Sequence, residues 1–157
     1  EEIPRNRIIT ELNKIKTKRR KIVVDMGCGK GHISQHYAND TRFEFHNYDH
    51  ISSNETITPC DISTLPLEDD SVEICILSLA LWGSNKEDYI QEAYRVLESG
   101  GKMYIIEPTK RWSEKDENGN LINGKEGGKL KQLLCEHRFQ ILDEYIEKFS
   151  FFICIKC

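Results

Sequence analysis

The β-branched run Ile22-Val23-Val24 passes through Asp25 and Met26 straight into Gly27-Cys28-Gly29-Lys30-Gly31. A short apolar run without polar alternation suits a strand buried on both faces, and therefore a parallel sheet covered by helices. Glycines at alternate positions after such a strand permit backbone angles that other residues resist. They also let a ligand approach the main chain where a helix begins. The pattern therefore predicts a βαβ unit with a binding crevice at the end of its first strand.

The rest of the chain repeats this alternation. Pro4, followed by Ile8, Ile9, Leu12 and Ile15, predicts an amphipathic helix that runs into the basic stretch 16–21. Residues 31–38 are expected to form the first crossover helix. Strands are expected over 43–48, 56–60, 72–79 and 102–107. Tyr89, Ile90, Ala93, Val96 and Leu97 lie at helical spacing, so a helix is expected over 86–97, stopped by Ser99-Gly100-Gly101. Residues 108–128 are polar and glycine-rich and read as a long loop with a small hairpin at Glu117-Asn118-Gly119-Asn120. A helix over 130–137 precedes strands 139–146 and 149–155, whose short connection makes them an antiparallel pair. The fold class is thus α/β: a Rossmann-like, doubly wound, mostly parallel seven-stranded sheet with one antiparallel strand near the C-terminus. Residues 1–157 read as a single domain, expected to be part of a longer chain.

Composition excludes several classes. Hydrophobic residues make up 38% and charged residues 31%, a balance that fits neither disorder nor a membrane protein. No apolar run approaches the ~20 residues of a membrane span. The start, Glu1-Glu2-Ile3-Pro4, lacks a signal-peptide pattern, so an intracellular location is expected. The six cysteines are expected to be free thiols. Cys154 and Cys157, three apart on a strand, would face opposite ways, and no second pair completes a zinc set. His32 and His36 have no third ligand, so no metal is expected. A net charge of -4 supplies no general attraction to nucleic acid, which would require a local basic surface.

Acids at three strand ends define the candidate site. Asp25 closes the first strand, Asp49 the second in Asn47-Tyr48-Asp49, and Asp61 follows the third in Cys60-Asp61-Ile62. Asp49 is placed to accept hydrogen bonds from ribose hydroxyls. The Asp61 carboxylate can accept from an adenine amino group, and the Ile62 backbone can meet a ring nitrogen. Asp25 would repel a pyrophosphate but suits a cationic amine, and the glycine spacing is not that of a dinucleotide site. Together these features favour S-adenosyl-L-methionine over a nicotinamide cofactor, with Asp25, Gly27, Gly29, Gly31, Asp49, Asp61 and Ile62 as cofactor-binding residues.

Asp-x-Gly-x-Gly-x-Gly resembles the first motif of class I S-adenosylmethionine-dependent methyltransferases, and Arg95 to Gly101 resembles their later R-x-L-x-x-G-G turn. More narrowly, Cys60 to Val72 followed by Ser78-Leu79-Ala80-Leu81-Trp82-Gly83-Ser84-Asn85 is similar to the ribosomal-RNA-processing protein 8 family, which includes nucleomethylin. The resemblance implies an adenine N1-methyltransferase acting on large-subunit ribosomal RNA in the nucleus and nucleolus. It also implies that Gly27 lies against the cofactor, Asp49 holds its ribose, and Asp61 with Ile62 holds its adenine. Ser78 stands where the family has a cysteine lining the site, and Trp82-Gly83-Ser84-Asn85 replaces its usual Met-Gly-Thr-Asn. The family's histidine-bearing segment before the first helix, and the basic extension of eukaryotic members, have no counterpart in these residues.

Adenine N1 has an in-plane lone pair, so orientation is the main catalytic task, and an oxygen near the base would stabilise the charge that develops. Glu107, at a strand end, is the candidate catalytic carboxylate; alternatively it orders the Pro108 loop or pairs with a lysine. Trp82 either stacks on an extruded base, positioning the substrate, or fills the core. Lys110, Arg111 and Lys115 beside Trp112 form a basic and aromatic cluster that either tracks RNA or is simply solvated. Methyltransferases that act on exocyclic amines commonly carry Asn/Asp-Pro-Pro-aromatic after the fourth strand, whereas this chain reads Ser78-Leu79-Ala80-Leu81. Two other readings stay open: a small-molecule methyltransferase, and a non-catalytic S-adenosylmethionine-binding interaction module whose protein partners are unknown.

Overall fold

A computed structural model describes residues 3–157; Glu1 and Glu2, part of the start that lacks a signal-peptide pattern, lie outside the described residues. The elements run α1 (Pro4–Asn13), β1 (Lys21–Met26), α2 (His32–His36), β2 (Phe43–Asp49), β3 (Ile57–Pro59) and β4 (Val72–Ser78). They continue with α3 (Lys86–Val96), β5 (Leu97–Pro108), α4 (Gly128–Glu136), β6 (Phe139–Ile146) and β7 (Phe149–Lys156). The strands form one seven-stranded sheet in the order β3-β2-β1-β4-β5-β7-β6. β7 runs antiparallel to both β5 and β6, and the pairs among β1 to β5 are parallel. This is the doubly wound α/β sheet with one reversed strand that the alternation of elements predicts.

Period-two side-chain direction divides the core into two layers. Val23, Ile74, Ile76, Tyr104 and Ile106 face one side, where they pack with Ile8 and Leu12 of α1 and Ile33 of α2. Val24, Cys75, Leu77, Met103 and Ile105 face the other, under Ile90, Ala93 and Val96 of α3 and Leu130 and Leu134 of α4. Burial of these apolar side chains on both faces is the main stabilising term, roughly 1.5–3 kcal/mol for each large one. The order reverses at β1, where β2 lies on one side and β4 on the other. The crevice of an open α/β sheet forms at this switch point.

Among the boundaries that differ from the sequence expectation, three follow from identifiable backbone geometry. α2 has only five residues because Gly31, left-handed at φ 74°, is its N-cap and Tyr37 already leaves helical geometry. α3 stops at Val96, before the glycines, because Leu97 turns extended to pair with Val72. β5 therefore starts earlier, residues 98–101 bulge out, and regular pairing resumes at Ile74 and Lys102. The loop hairpin is present as a bridge between Lys115 and Leu121, with Gly119 N–H donating to Asp116 O at 3.0 Å.

Lys156 at the end of β7 is only 9% exposed, and its ammonium donates to Tyr94 O at 2.6 Å, Leu97 O at 2.7 Å and Asp70 Oδ1 at 2.7 Å. It thus ties the last strand to the end of α3 and the loop before β4. Lys156→Met removes these donors and leaves the Tyr94 and Leu97 carbonyls without them, while the exposed Asp70 carboxylate turns to water. It is expected to destabilise the domain by about 2 kcal/mol, read as a lower urea midpoint at unchanged m-value.

Candidate functional site

The turn after β1 curls back through Gly27, Gly29 and Gly31, with φ of 79°, 58° and 74°. At Gly27 a Cβ would lie 3.2 Å from Ala80 Cβ and 3.6 Å from Ile62 Cδ1, so both the backbone angle and the available space require glycine. Nothing lies within 4 Å of a Cβ built on Gly29, so a side chain there would intrude into the opening. The turn is pinned to β2 by Gly27 N–H donating to Tyr48 O at 2.8 Å and Gly29 N–H donating to Asp49 Oδ2, also at 2.8 Å. The other Asp49 oxygen accepts from His50 N–H at 2.7 Å.

This turn borders a cleft of about 230 Å³, and Asp25, Gly27, Gly29 and Ser78 are among its lining residues. Asp25 is 2% exposed, and its Oδ1 has no hydrogen-bond partner among the described residues. Burial, and secondarily the negative charge of Asp49, push its carboxyl up from 3.8 to about 7. A buried unpartnered carboxylate beside an opening is suited to a ligand cation. Cys28 also lines the cleft, but burial and the same two acids push its thiol up to about 12, so it stays protonated and is a poor nucleophile.

The other expected cofactor residues are arranged unevenly. Ile62 is buried beneath Gly27 and supports the turn from below. Asp61 is exposed, accepts from Ser63 N–H at 2.9 Å and Ser63 Oγ–H at 2.7 Å, and is held below its ordinary carboxylate range by those bonds. Gly31 turns away from the cleft toward Ser34, Asn47 and Ile57. Its conformation starts α2 and closes the turn on β2.

Sequence reasoning missed two features. Ile3, Pro4 and Arg5 at the start of α1 line the same cleft as Asp25. Leu79, directly after β4, also lines the cleft with a left-handed φ of 53°. That conformation is costly for a leucine and persists where its surroundings enforce it, here partly through Leu79 N–H donating to Ile106 O at 3.0 Å. A leucine at this position carries no sequence signal of such an angle.

On the rim, Trp82 is 62% exposed, which rules out the core-filling alternative. Its indole N–H donates to Leu79 O at 2.6 Å, and the Arg111 guanidinium lies over the ring, 4.2 Å from the centroid. Arg111 also donates to Leu81 O. Glu107 is fully buried: Trp112 Nε1 donates to its Oε1 at 3.2 Å, and Arg111 Nη1 approaches the same oxygen at 3.7 Å, an electrostatic contact. Burial raises the Glu107 carboxyl above its ordinary value, opposed by the Trp112 N–H, the Leu81 and Ala80 amides and the Arg111 charge. Glu107 therefore orders the loop after β5, with an arginine where a lysine was one expectation, and its carboxylate does not reach the open cleft. Trp112 is buried too, so the loop's basic residues present no second aromatic surface to solvent. Among the described residues no group of three or more histidine, cysteine or acidic side chains is arranged to hold a metal ion. No described helix is long and apolar enough to cross a membrane.

The ionisation of Asp25 gives a prediction with two opposite signs. In the free protein the folded state keeps a proton that the unfolded chain releases near 3.8, so stability from this group falls as pH rises from about 4 to 7 and is flat above. The loss is up to about 4 kcal/mol. Binding of a cationic amine needs the ionised form, so affinity for S-adenosylmethionine should rise through pH 7. Asp25→Asn should raise Tm above pH 7 while weakening the ligand and flattening its pH dependence, as read by calorimetry from pH 5.5 to 8.5.

A family model described as "Hypothetical methyltransferase" matches residues 1–144. The 25S rRNA (adenine(645)-N(1))-methyltransferase of Schizosaccharomyces pombe is 32% identical over 105 residues, 67% of this chain and 33% of that protein. Ribosomal RNA-processing protein 8 of Dictyostelium discoideum is 38% identical over 108 residues, 69% of this chain and 27% of that protein. The chain thus spans about a third or less of the curated relatives it matches. Among solved structures, a SAM-dependent methyltransferase from Methanosarcina mazei superposes with a TM-score of 0.73 at 18% identity, covering 94% of this chain and 96% of that one.

Proposed function

The chain belongs to this methyltransferase family and has the class I S-adenosylmethionine-dependent fold, and from that premise we propose that it methylates N1 of an adenine in large-subunit ribosomal RNA. The observation that carries the cofactor half is Asp25, a residue that lines the cleft beside the glycine turn and carries a buried, unpartnered carboxylate oxygen. The substrate half rests on the relatives, one of which is named for adenine N1 methylation of 25S rRNA.

In this reading Asp25 takes the ammonium of the cofactor's amino-acid end, and Arg5 supplies a cation for the carboxylate beside it. Asp49 uses the lone pairs left by Gly29 and His50 to accept from the ribose hydroxyls. Asp61 and the Ile62 backbone hold the adenine, Gly29 and Gly27 leave room for the ligand, and Ser78 forms the wall at the end of β4. When bound, S-adenosylmethionine supplies the methyl group: the N1 lone pair forms the new N–C bond, the C–S bond breaks with its electron pair left on sulfur, and the positive charge passes to the base. N1 needs no deprotonation, so a chain whose nearby carboxylate is buried can still do this chemistry by orientation. The protein would work where ribosomal RNA matures, in the nucleolus.

Two measurements test the reading. Calorimetry should show saturable binding of S-adenosylmethionine and none of NADH, with Asp49→Ala lowering affinity at least about ten-fold, a loss of ~1.4 kcal/mol, while the circular dichroism spectrum persists. Absence of S-adenosylmethionine binding would remove the cofactor assignment. Mass spectrometry of ribosomal RNA from cells lacking the full-length protein should show loss of one N1-methyladenosine, and an unaltered modification map would overturn the substrate assignment.

A further inference from the structure

We propose that the π-face of Trp82, fixed by Arg111 and the Leu79 carbonyl, is the surface that holds the substrate base and balances the positive charge the base acquires. The proposal rests on the adenine N1 reading above and identifies the group that meets the charge.

An indole 62% exposed is ordinarily free to change rotamer, yet this one is held at its nitrogen by Leu79 O and on one face by a guanidinium. Leu79 and Ser78 line the cleft, so the ring stands on its rim, at the end of β4, where a base approaching the cofactor site would arrive. A fixed ring has already lost the freedom that stacking would otherwise cost. Aromatic faces attract cations through their quadrupole, and the Arg111 contact shows this ring accepting one already.

The carboxylate at the end of β5 is not available for that task. Glu107 is fully buried, engaged by Trp112 and set 3.7 Å from Arg111, with its second oxygen unpartnered. Its position gives it another use. An uncompensated Arg111 beside Trp82 would repel a base becoming cationic, whereas the Glu107 charge cancels that of Arg111 behind the ring. Glu107 is thus a positioning residue acting through Arg111, and Trp82 is the group that touches the base.

The test compares 1-methyladenosine 5′-monophosphate, which is cationic at neutral pH, with neutral-ring adenosine 5′-monophosphate. Both are titrated into the chain by calorimetry, with and without S-adenosylhomocysteine. The methylated nucleotide is expected to bind at least about five-fold more tightly. Trp82→Leu should bring the ratio close to one, Trp82→Phe should keep part of it, and Glu107→Gln should reduce it through the uncompensated Arg111. Thermal melts establish that each variant is folded. Should Glu107→Gln fail to fold, Trp82→Leu against Trp82→Phe decides alone, since Trp82 is exposed. Equal affinities in the unmodified protein, an unchanged ratio in Trp82→Leu, or no binding of either nucleotide would overturn the proposal. Failure of S-adenosylhomocysteine to bind would instead count against the cofactor assignment, because the nucleotide ratio is also read without it.

Discussion

The hydrogen bond from Gly29 N–H to the Asp49 carboxylate, 2.8 Å long, joins the turn after β1 to the end of β2. Much of the site depends on it. It ties the glycine turn to the sheet and fixes Asp49 against that turn. It also places a second negative charge near Asp25, which adds to the effect of burial on that carboxyl. Burial first, and the Asp49 charge second, disfavour the ionised form of Asp25, so a cation placed beside that carboxyl would be matched to it.

The cleft and its rim answer different needs. On the cleft side the end of β1 and the turn after it supply Asp25 and the glycines, and the start of α1 contributes Ile3, Pro4 and Arg5. On the rim, the loops after β4 and β5 interlock through Arg111, which bonds Leu81 O and lies over Trp82, and through Glu107 and Trp112 beneath. The buried Glu107 gains little as an isolated ion and is tolerated through the donors and the cation around it. Electrostatics thus leaves a buried acid beside the cleft and orders the loops on the rim.

Several parts of this arrangement were legible from residue pattern alone. The β-branched runs at Ile22 and Val72 announced strands buried on both faces, and the alternate glycines after Met26 announced the turn. The middle segment from Cys60 to Asn85 resembled one narrow family, and the match of a methyltransferase family model to residues 1–144 agrees with it. Other features had no local signature. Arg5 is far in sequence from Asp25 and meets the same pocket only because α1 packs across the sheet on Val23, Ile74 and Ile76. Trp82 and Glu107 showed the limit from the other side: tryptophan is often core and a strand-end glutamate is often exposed, and here the first is exposed and the second buried.

What the linear order determined is the alternation of strands and helices and the chemical types placed at the strand ends, because short-range periodicity and glycine's backbone freedom act between near neighbours; the switch point at β1 came with the long-range pairing of β1 and β4. What the tertiary structure alone decided is which of those groups are shut in and which meet solvent, as with the covered carboxylates of Asp25 and Glu107 and the exposed carboxylate of Asp61. Exposure and local dielectric are sums over atoms brought together from distant parts of the chain, so no stretch of sequence contains them.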